Sequence, residues 1–134
     1  MNRVASPQAL YAQAFAQFRQ GRLEQALQVL GQLLQQAPAH ADGWNLAGVI
    51  HGSRQQHAQA VQCYRRALAA GAAVGTWVNL GLAEQRRLAP DEAEAAFREA
   101  LRRDPALVIA WQKLAGLLED TGRHVEALDC HRQA

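Results

Sequence analysis

This 134-residue chain has a single lysine, Lys113. Arginine supplies the other basic residues, and 14 basic against 12 acidic residues leave a net charge of +2. A balance so near neutrality argues against a nucleic-acid binder, which is usually far more basic. The two cysteines, Cys63 and Cys130, are too few for a disulfide framework. Ser6 and Ser53 are the only serines, and neither has a histidine and an aspartate arranged to make it a nucleophile. The glycines are scattered through helix positions and turns, so no phosphate-cradling loop is formed. No apolar run approaches the roughly 20 residues of a membrane span. The opening MNRVASPQALYAQA lacks the apolar core of a signal peptide. A cytoplasmic protein without membrane contact is the expectation. Aromatics are only 6% of the chain and β-branched runs are nearly absent. What remains is rich in Ala, Leu and Gln, a composition that favours helix.

One awkward combination recurs. WNLAG at 44–48, WVNLG at 77–81 and WQKLAG at 111–116 each place a tryptophan shortly before a glycine, a poor helix former. Trp44 to Trp77 is 33 residues and Trp77 to Trp111 is 34. Ala26, Ala60, Ala93 and Ala127 keep the same step, as do Leu30, Tyr64, Phe97 and His131 four residues after them. Pro38 and Pro105 each lie twelve residues beyond their alanine, and the one missing residue falls near Gly71 to Gly75. A fixed period of this length marks a repeat array.

The pattern resembles the tetratricopeptide repeat (TPR), a 34-residue helix-turn-helix unit, over residues 7–134. In that frame the large residue opening helix A is Leu10, Trp44, Trp77 and Trp111, and the small residue four later is Ala14, Gly48, Gly81 and Ala115. The turn glycine is present as Gly21 and Gly122 but replaced by Gln55 and Leu88. The resemblance implies an all-α fold, a TPR-type solenoid of antiparallel helix pairs in a right-handed superhelical array. Its repeats would be 7–40, 41–73, 74–107 and 108–134, the last truncated in helix B. Helices are expected over 7–20, 23–36, 41–54, 57–70, 74–87, 91–103, 108–121 and from 124 on. The small residues let helices approach closely, and burial of the tryptophans between helices offsets the roughly 1 kcal/mol each helical glycine costs.

Nothing in this frame reads as catalytic, metal-binding or cofactor-binding. His51, His57, His124 and His131 stand where TPRs carry bulky residues and look like aromatic substitutes in the packing, not the i, i+4 pair of a metal site. Cys63 and Cys130 share one repeat position and read as helix filler. Arg65-Arg66, Arg86-Arg87 and Arg102-Arg103 read as solvated faces. Glu94 and Arg98 form an i, i+4 pair.

In the family the A helices line a concave groove that takes peptides. By resemblance the partner-binding positions are Tyr11, Phe15, Phe18, Arg19, Asn45, Val49, Val78, Leu82, Arg86 and Gln112. Tyr11, Phe15 and Phe18 fall at i, i+4 and i+7, a single stripe that either faces the groove or closes the end of the array. The groove suits an apolar or amphipathic segment. It lacks the Lys and Asn positions that would hold a chaperone's C-terminal carboxylate. The leading expectation is a non-catalytic protein-interaction scaffold. The alternative is the substrate-recruiting part of a larger enzyme, since the array is similar to bacterial ones that precede glycosyltransferase or sulfotransferase domains. At the C-terminal end Val125, Leu128 and one of Leu117 or Leu118 are expected to be uncovered, driving self-association end to end or by exchange of the last helix.

Overall fold

The computed structural model describes residues 5–134. Among the described residues eight helices follow one another: α1 (Pro7–Arg19), α2 (Leu23–Gln36), α3 (Ala41–Ser53), α4 (His57–Ala69), α5 (Gly75–Arg86), α6 (Pro90–Arg103), α7 (Val108–Asp120) and α8 (His124–Gln133). No strand occurs among the described residues. Two compact units divide the chain, Met1–Ala72 and Ala73–Ala134. In the first, α1 pairs with α2 and α3 with α4, and α3 also packs on α1 and α2. In the second, α5 pairs with α6 and α7 with α8, and α7 packs on α5 and α6.

Local chemistry sets the helix ends. Ser6 Oγ accepts the amide of Ala9 at 3.2 Å ahead of Pro7, the first residue of α1. His40 Nδ1 does the same for Gly43 at 2.9 Å and starts α3. Pro90 opens α6, followed by Asp91 and Glu92, whose charge suits the positive end of the helix.

The turn inside each helix pair is the same left-handed stop. In the first, the amide of Arg22 reaches Gln17 O at 2.9 Å and that of Gly21 reaches Phe18 O at 3.0 Å, the doubly bonded form of a helix C-terminus. Gln56 to His51, Ala89 to Glu84 and Arg123 to Leu118 repeat the longer bond at 2.8, 2.9 and 2.7 Å. The residue before each must take positive φ. It is Gly21 at 78° and Gly122 at 79°, but also Gln55 and Leu88, both at 60°. The middle turns therefore keep the glycine geometry without the glycine.

The glycines after the tryptophans are explained by the helix opposite. A Cβ on Gly48 would lie 2.5 Å from Tyr64 Cε1. One on Gly81 would lie 2.6 Å from Phe97 Cδ1 and closer still to Cε1. Where the first repeat has Ala14, the residue sixteen later is the smaller Leu30, and both are buried. Small and large are matched across each helix pair.

The tryptophans are not the buried wedges the sequence suggested. All three are half-buried. Trp44 Nε1 donates to Pro38 O at 2.7 Å and Trp111 Nε1 to Pro105 O at 2.8 Å. The guanidinium of Arg66 lies 4.8 Å from the Trp44 ring, and that of Arg103 lies 5.3 Å from the Trp77 ring. An indole has an apolar body and one N–H that needs a partner. In Trp44 and Trp111 the N–H ties the start of helix A to the preceding loop.

Two of the four histidines read as packing residues depart from expectation, while His51 and His57 are half-buried. His124 and His131 are exposed, and His131 Nε2 pairs with Glu119 Oε1 at 2.7 Å. His51 Nδ1 bonds Gln56 Oε1 at 2.7 Å in a turn. Cys63 and Cys130 are buried in the cores of their units, and burial pushes both thiols up from their ordinary range.

Candidate interaction surface

Each unit has its own apolar core. In the first, Leu10, Ala26, Leu30 and Leu33 meet Leu46, Ala47 and Ile50, with Tyr11, Phe18, Leu23 and Trp44 packed against them. In the second, Phe97, Leu101, Ala110, Leu114 and Leu118 form the centre, with Trp77, Leu82 and Trp111 at its edge.

The aromatic stripe on α1 lies partly in that first core. Tyr11 and Phe18 are half-buried against it, whereas Phe15 between them is 41% exposed. The rings make a continuous ladder. Tyr11 to Phe15 is 6.1 Å between centroids and Phe15 to Phe18 is 6.4 Å, each pair tilted. A fourth ring extends it, since His40 lies 5.5 Å from Tyr11. Ring pairs at this range attract beyond the area they bury. Burial, and then the charge of Asp42, raise the Tyr11 hydroxyl above its ordinary range. One end of the ladder is thus beside a carboxylate, and Arg19 is exposed in the last turn of α1. Asn45 and Val49, on α3, are half-buried.

Four of the expected partner-binding positions fall in the second unit. Arg86 and Gln112 are exposed and Leu82 is half-buried on the core. Val78 is 5% exposed and is a core residue, so it offers no surface. Val108 and Ile109, at the start of α7, are exposed apolar side chains. Val125 and Leu128, on α8, are exposed as well, whereas Leu117 and Leu118, expected among the uncovered residues, are instead core.

His40 was not picked out as a ring partner from the sequence. Its signal is the spacing APAH before α3, which makes it the helix cap and aims its ring at α1. The arginine doublets are exposed, and several have local partners. Arg87 pairs with Glu84 at 2.9 Å, and Arg103 with Glu99 at 2.9 Å. Both serines are engaged by backbone: Ser6 caps α1, and Ser53 donates to Val49 O at 3.0 Å. Among the described residues no three His, Cys, Asp or Glu are grouped to hold a metal ion. No described helix is long and apolar enough to cross a membrane.

The tetratricopeptide repeat model matches residues 11–74 and 78–130, and the chain belongs to the tetratricopeptide repeat family. A 43-residue segment is 44% identical to tetratricopeptide repeat protein 37 of Xenopus laevis. That segment is 32% of this chain and 3% of the relative, so the match spans a small part of that protein. Among solved structures, MamA aligns with a TM-score of 0.90 at 18% identity, covering 95% of this chain and 75% of that one. MamA from Desulfovibrio magneticus RS-1 aligns at 0.87 and 22% identity, covering 96% and 73%. YrrB, described as a TPR protein with an unusual peptide-binding site, aligns at 0.83 and 20% identity, covering 93% and 65%. At such identities the likeness is one of fold. The all-α TPR solenoid is established on these grounds.

Proposed function

We propose that the chain is a non-catalytic interaction module that holds a peptide-like partner segment on the α1–α3 face of its first unit. The observation that carries this reading is Phe15, exposed in the middle of a ladder whose neighbouring rings are anchored in the core. Rings fixed by packing offer apolar contact at little entropic cost, and exposed apolar patches mark interaction sites. The occupant is an apolar or amphipathic segment. Tyr11, Phe15, Phe18 and Val49 meet its apolar side chains, while Arg19 and Asn45 meet its polar groups. Leu82, Arg86 and Gln112 form a separate surface in the second unit. The four helix pairs are assigned as repeats at 7–40, 41–73, 74–107 and 108–134. The peptide-binding site of YrrB, a neighbour in fold, supports the reading for this chain.

Selecting peptides from a displayed random library against the whole chain tests it. Phe15→Ala is expected to weaken the selected peptides at least tenfold while the helical circular dichroism stays unchanged. Tyr11→Ala is a poorer probe, because Tyr11 also packs on the core. Peptides that bind wild type and Phe15→Ala equally well would remove this face from consideration.

A further inference from the structure

We propose that the recess between the start of α3 and the end of α4 is a second binding site, which takes a peptide through a carboxylate side chain and the apolar side chain next to it.

The recess measures about 320 Å³ and is open to solvent. Pro38, Ala39, Trp44, Ala69 and Ala70 make it apolar, and Arg66 is its one charged wall. None of these residues belongs to the α1–α3 face proposed above. The two walls that matter most are fixed in advance. The Trp44 indole is oriented by its bond to Pro38 O at 2.7 Å. The guanidinium of Arg66 lies over that indole, 4.8 Å from the ring centroid. Stacking orders an arginine through its face and leaves the N–H groups at its edge unspent. A carboxylate accepts two of them side by side.

Arg66 keeps that capacity. Residues 1–72 hold six basic and two acidic side chains. Of the two acids, Glu24 pairs with Arg54 at 3.6 Å, and Asp42 lies beside Tyr11. Among the described residues no carboxylate pairs with Arg66. The second unit has the opposite arrangement. There the guanidinium of Arg103 lies 5.3 Å from the Trp77 ring, one helical turn beyond the repeat position of Arg66. That repeat position is filled by Glu99, which pairs with Arg103 at 2.9 Å. One tryptophan thus carries a cation neutralised by its own helix. The other carries a cation whose counter-charge must come from outside. Stacking alone serves both units, so it does not account for the missing acid in the first.

The rest of the recess decides which anion fits. Ala69 is the last residue of α4 and Ala70 its cap, and a helix C-terminus carries partial negative charge. That end disfavours a phosphate dianion and favours the N–H groups of a peptide backbone. A single guanidinium matches a single carboxylate. The apolar walls leave room for one side chain of about leucine size, whose burial against the indole adds the hydrophobic part. The occupant is therefore an acidic peptide segment with an apolar residue beside the acid. One ion pair and one buried side chain make a weak site, with a Kd of about 0.1–1 mM.

The test follows the assigned indole N–H signals of the whole chain by NMR while amidated nonapeptides are added. One peptide has a central Leu-Glu-Leu in a Gly-Ser background, and the controls replace it with Leu-Gln-Leu or Ala-Glu-Ala. The Leu-Glu-Leu peptide should shift the Trp44 signal. It should leave the signal of Trp111, which makes the same kind of bond to Pro105 O, unchanged. Both control peptides should bind at least fivefold more weakly, and high salt should weaken the Leu-Glu-Leu peptide. Arg66→Gln should cost at least fivefold as well. Arg66→Lys, which keeps the charge without the stacked fork, should recover only part. Arg66 is exposed, so both variants should keep the wild-type circular dichroism. Should they not, the three peptides on wild type decide alone. Phe15→Ala should bind the Leu-Glu-Leu peptide as wild type does, so this site and the α1–α3 face fail separately. The proposal is overturned if the Trp44 signal stays in place up to about 5 mM peptide, or if the Leu-Gln-Leu peptide binds as well as Leu-Glu-Leu. It is equally overturned if inorganic phosphate alone shifts that signal as strongly, since the recess would then select an anion and not a peptide.

Discussion

Gly81 shows what one missing methyl group does. Its helix gives up roughly 1 kcal/mol relative to alanine, and the Phe97 ring occupies the space. Gly81→Ala is expected to destabilise the protein by about 1–3 kcal/mol, because the ring must shift in a packed core. Phe97→Leu should then restore most of the loss, reproducing the Ala14 and Leu30 pairing of the first repeat. A double-mutant cycle in denaturant measures the coupling, and simple additivity of the two substitutions would show that the contact is not what selects glycine. Leu88 is the opposite case. It sits at φ 60° and is 87% exposed, so its side chain gains little burial for the strain of a left-handed backbone. Leu88→Gly should stabilise by about 0.5–1 kcal/mol, the left-handed strain outweighing the extra chain entropy of glycine. A lower melting temperature for this variant would count against that balance. The sequence showed that a glycine is replaced at 55 and 88. It could not show that the turn keeps its shape, because the hydrogen bonds that enforce the shape come from backbone and leave no mark on residue type.

At the scale of helices, the repeat frame, through its resemblance to the tetratricopeptide repeat, placed every helix to within about a residue of its observed ends. The ion pairs were legible only where they are local. Glu94 and Arg98 pair at 2.8 Å as the i, i+4 spacing implies. Arg123 also bonds Glu94, from the α7–α8 turn 29 residues away, and pairs with Glu126 at 2.7 Å. That link could not be read from spacing, since it depends on how α6 meets the α7–α8 pair. Burial pulls the Glu94 carboxyl up, but hydrogen bonds from Arg123 and Arg98 outweigh it and leave the group below its usual range. The hydrogen bond from Arg123 lowers Glu126, and those from Arg102 and Arg103 hold Glu99 at about 2. A carboxylate depressed in the folded state stabilises above its unfolded value, here 4.5, and that stabilisation is lost as pH falls toward the folded value. The melting temperature should therefore drop between pH 4.5 and about 2, and Glu99→Gln should lose less over that interval than wild type. These side chains are exposed to solvent, so high salt should shrink the difference. An acid profile unaltered by Glu99→Gln would mean the pairs do not form in solution.

Across the whole molecule, the period in the sequence specified a repeat array, and composition excluded basic and disulfide-stapled classes. It did not separate surface from core on the A helices. Val78 and Phe15 were both expected to face a partner, yet one is in a core and the other in solvent. Helical periodicity gives a face, and which neighbour covers that face is a tertiary fact. The two apolar clusters bear on how the chain unfolds. One draws on residues between Leu10 and Cys63, the other on residues between Val74 and Cys130. In repeat proteins stability is close to a sum of local terms and nearest-neighbour terms, so damage should stay near its origin. Gly81→Ala is therefore expected to lower hydrogen-exchange protection strongly in α5 to α8 and only weakly in α1 to α3. Gly48→Ala, which drives a Cβ into Tyr64, should produce the reverse, with the largest loss in α1 to α4. The experiment compares amide exchange under native conditions, where each helix reports its own opening free energy. Equal loss over the whole chain from either substitution would mean that all eight helices unfold as one cooperative block. The confinement of each core to its own unit would then have no bearing on stability.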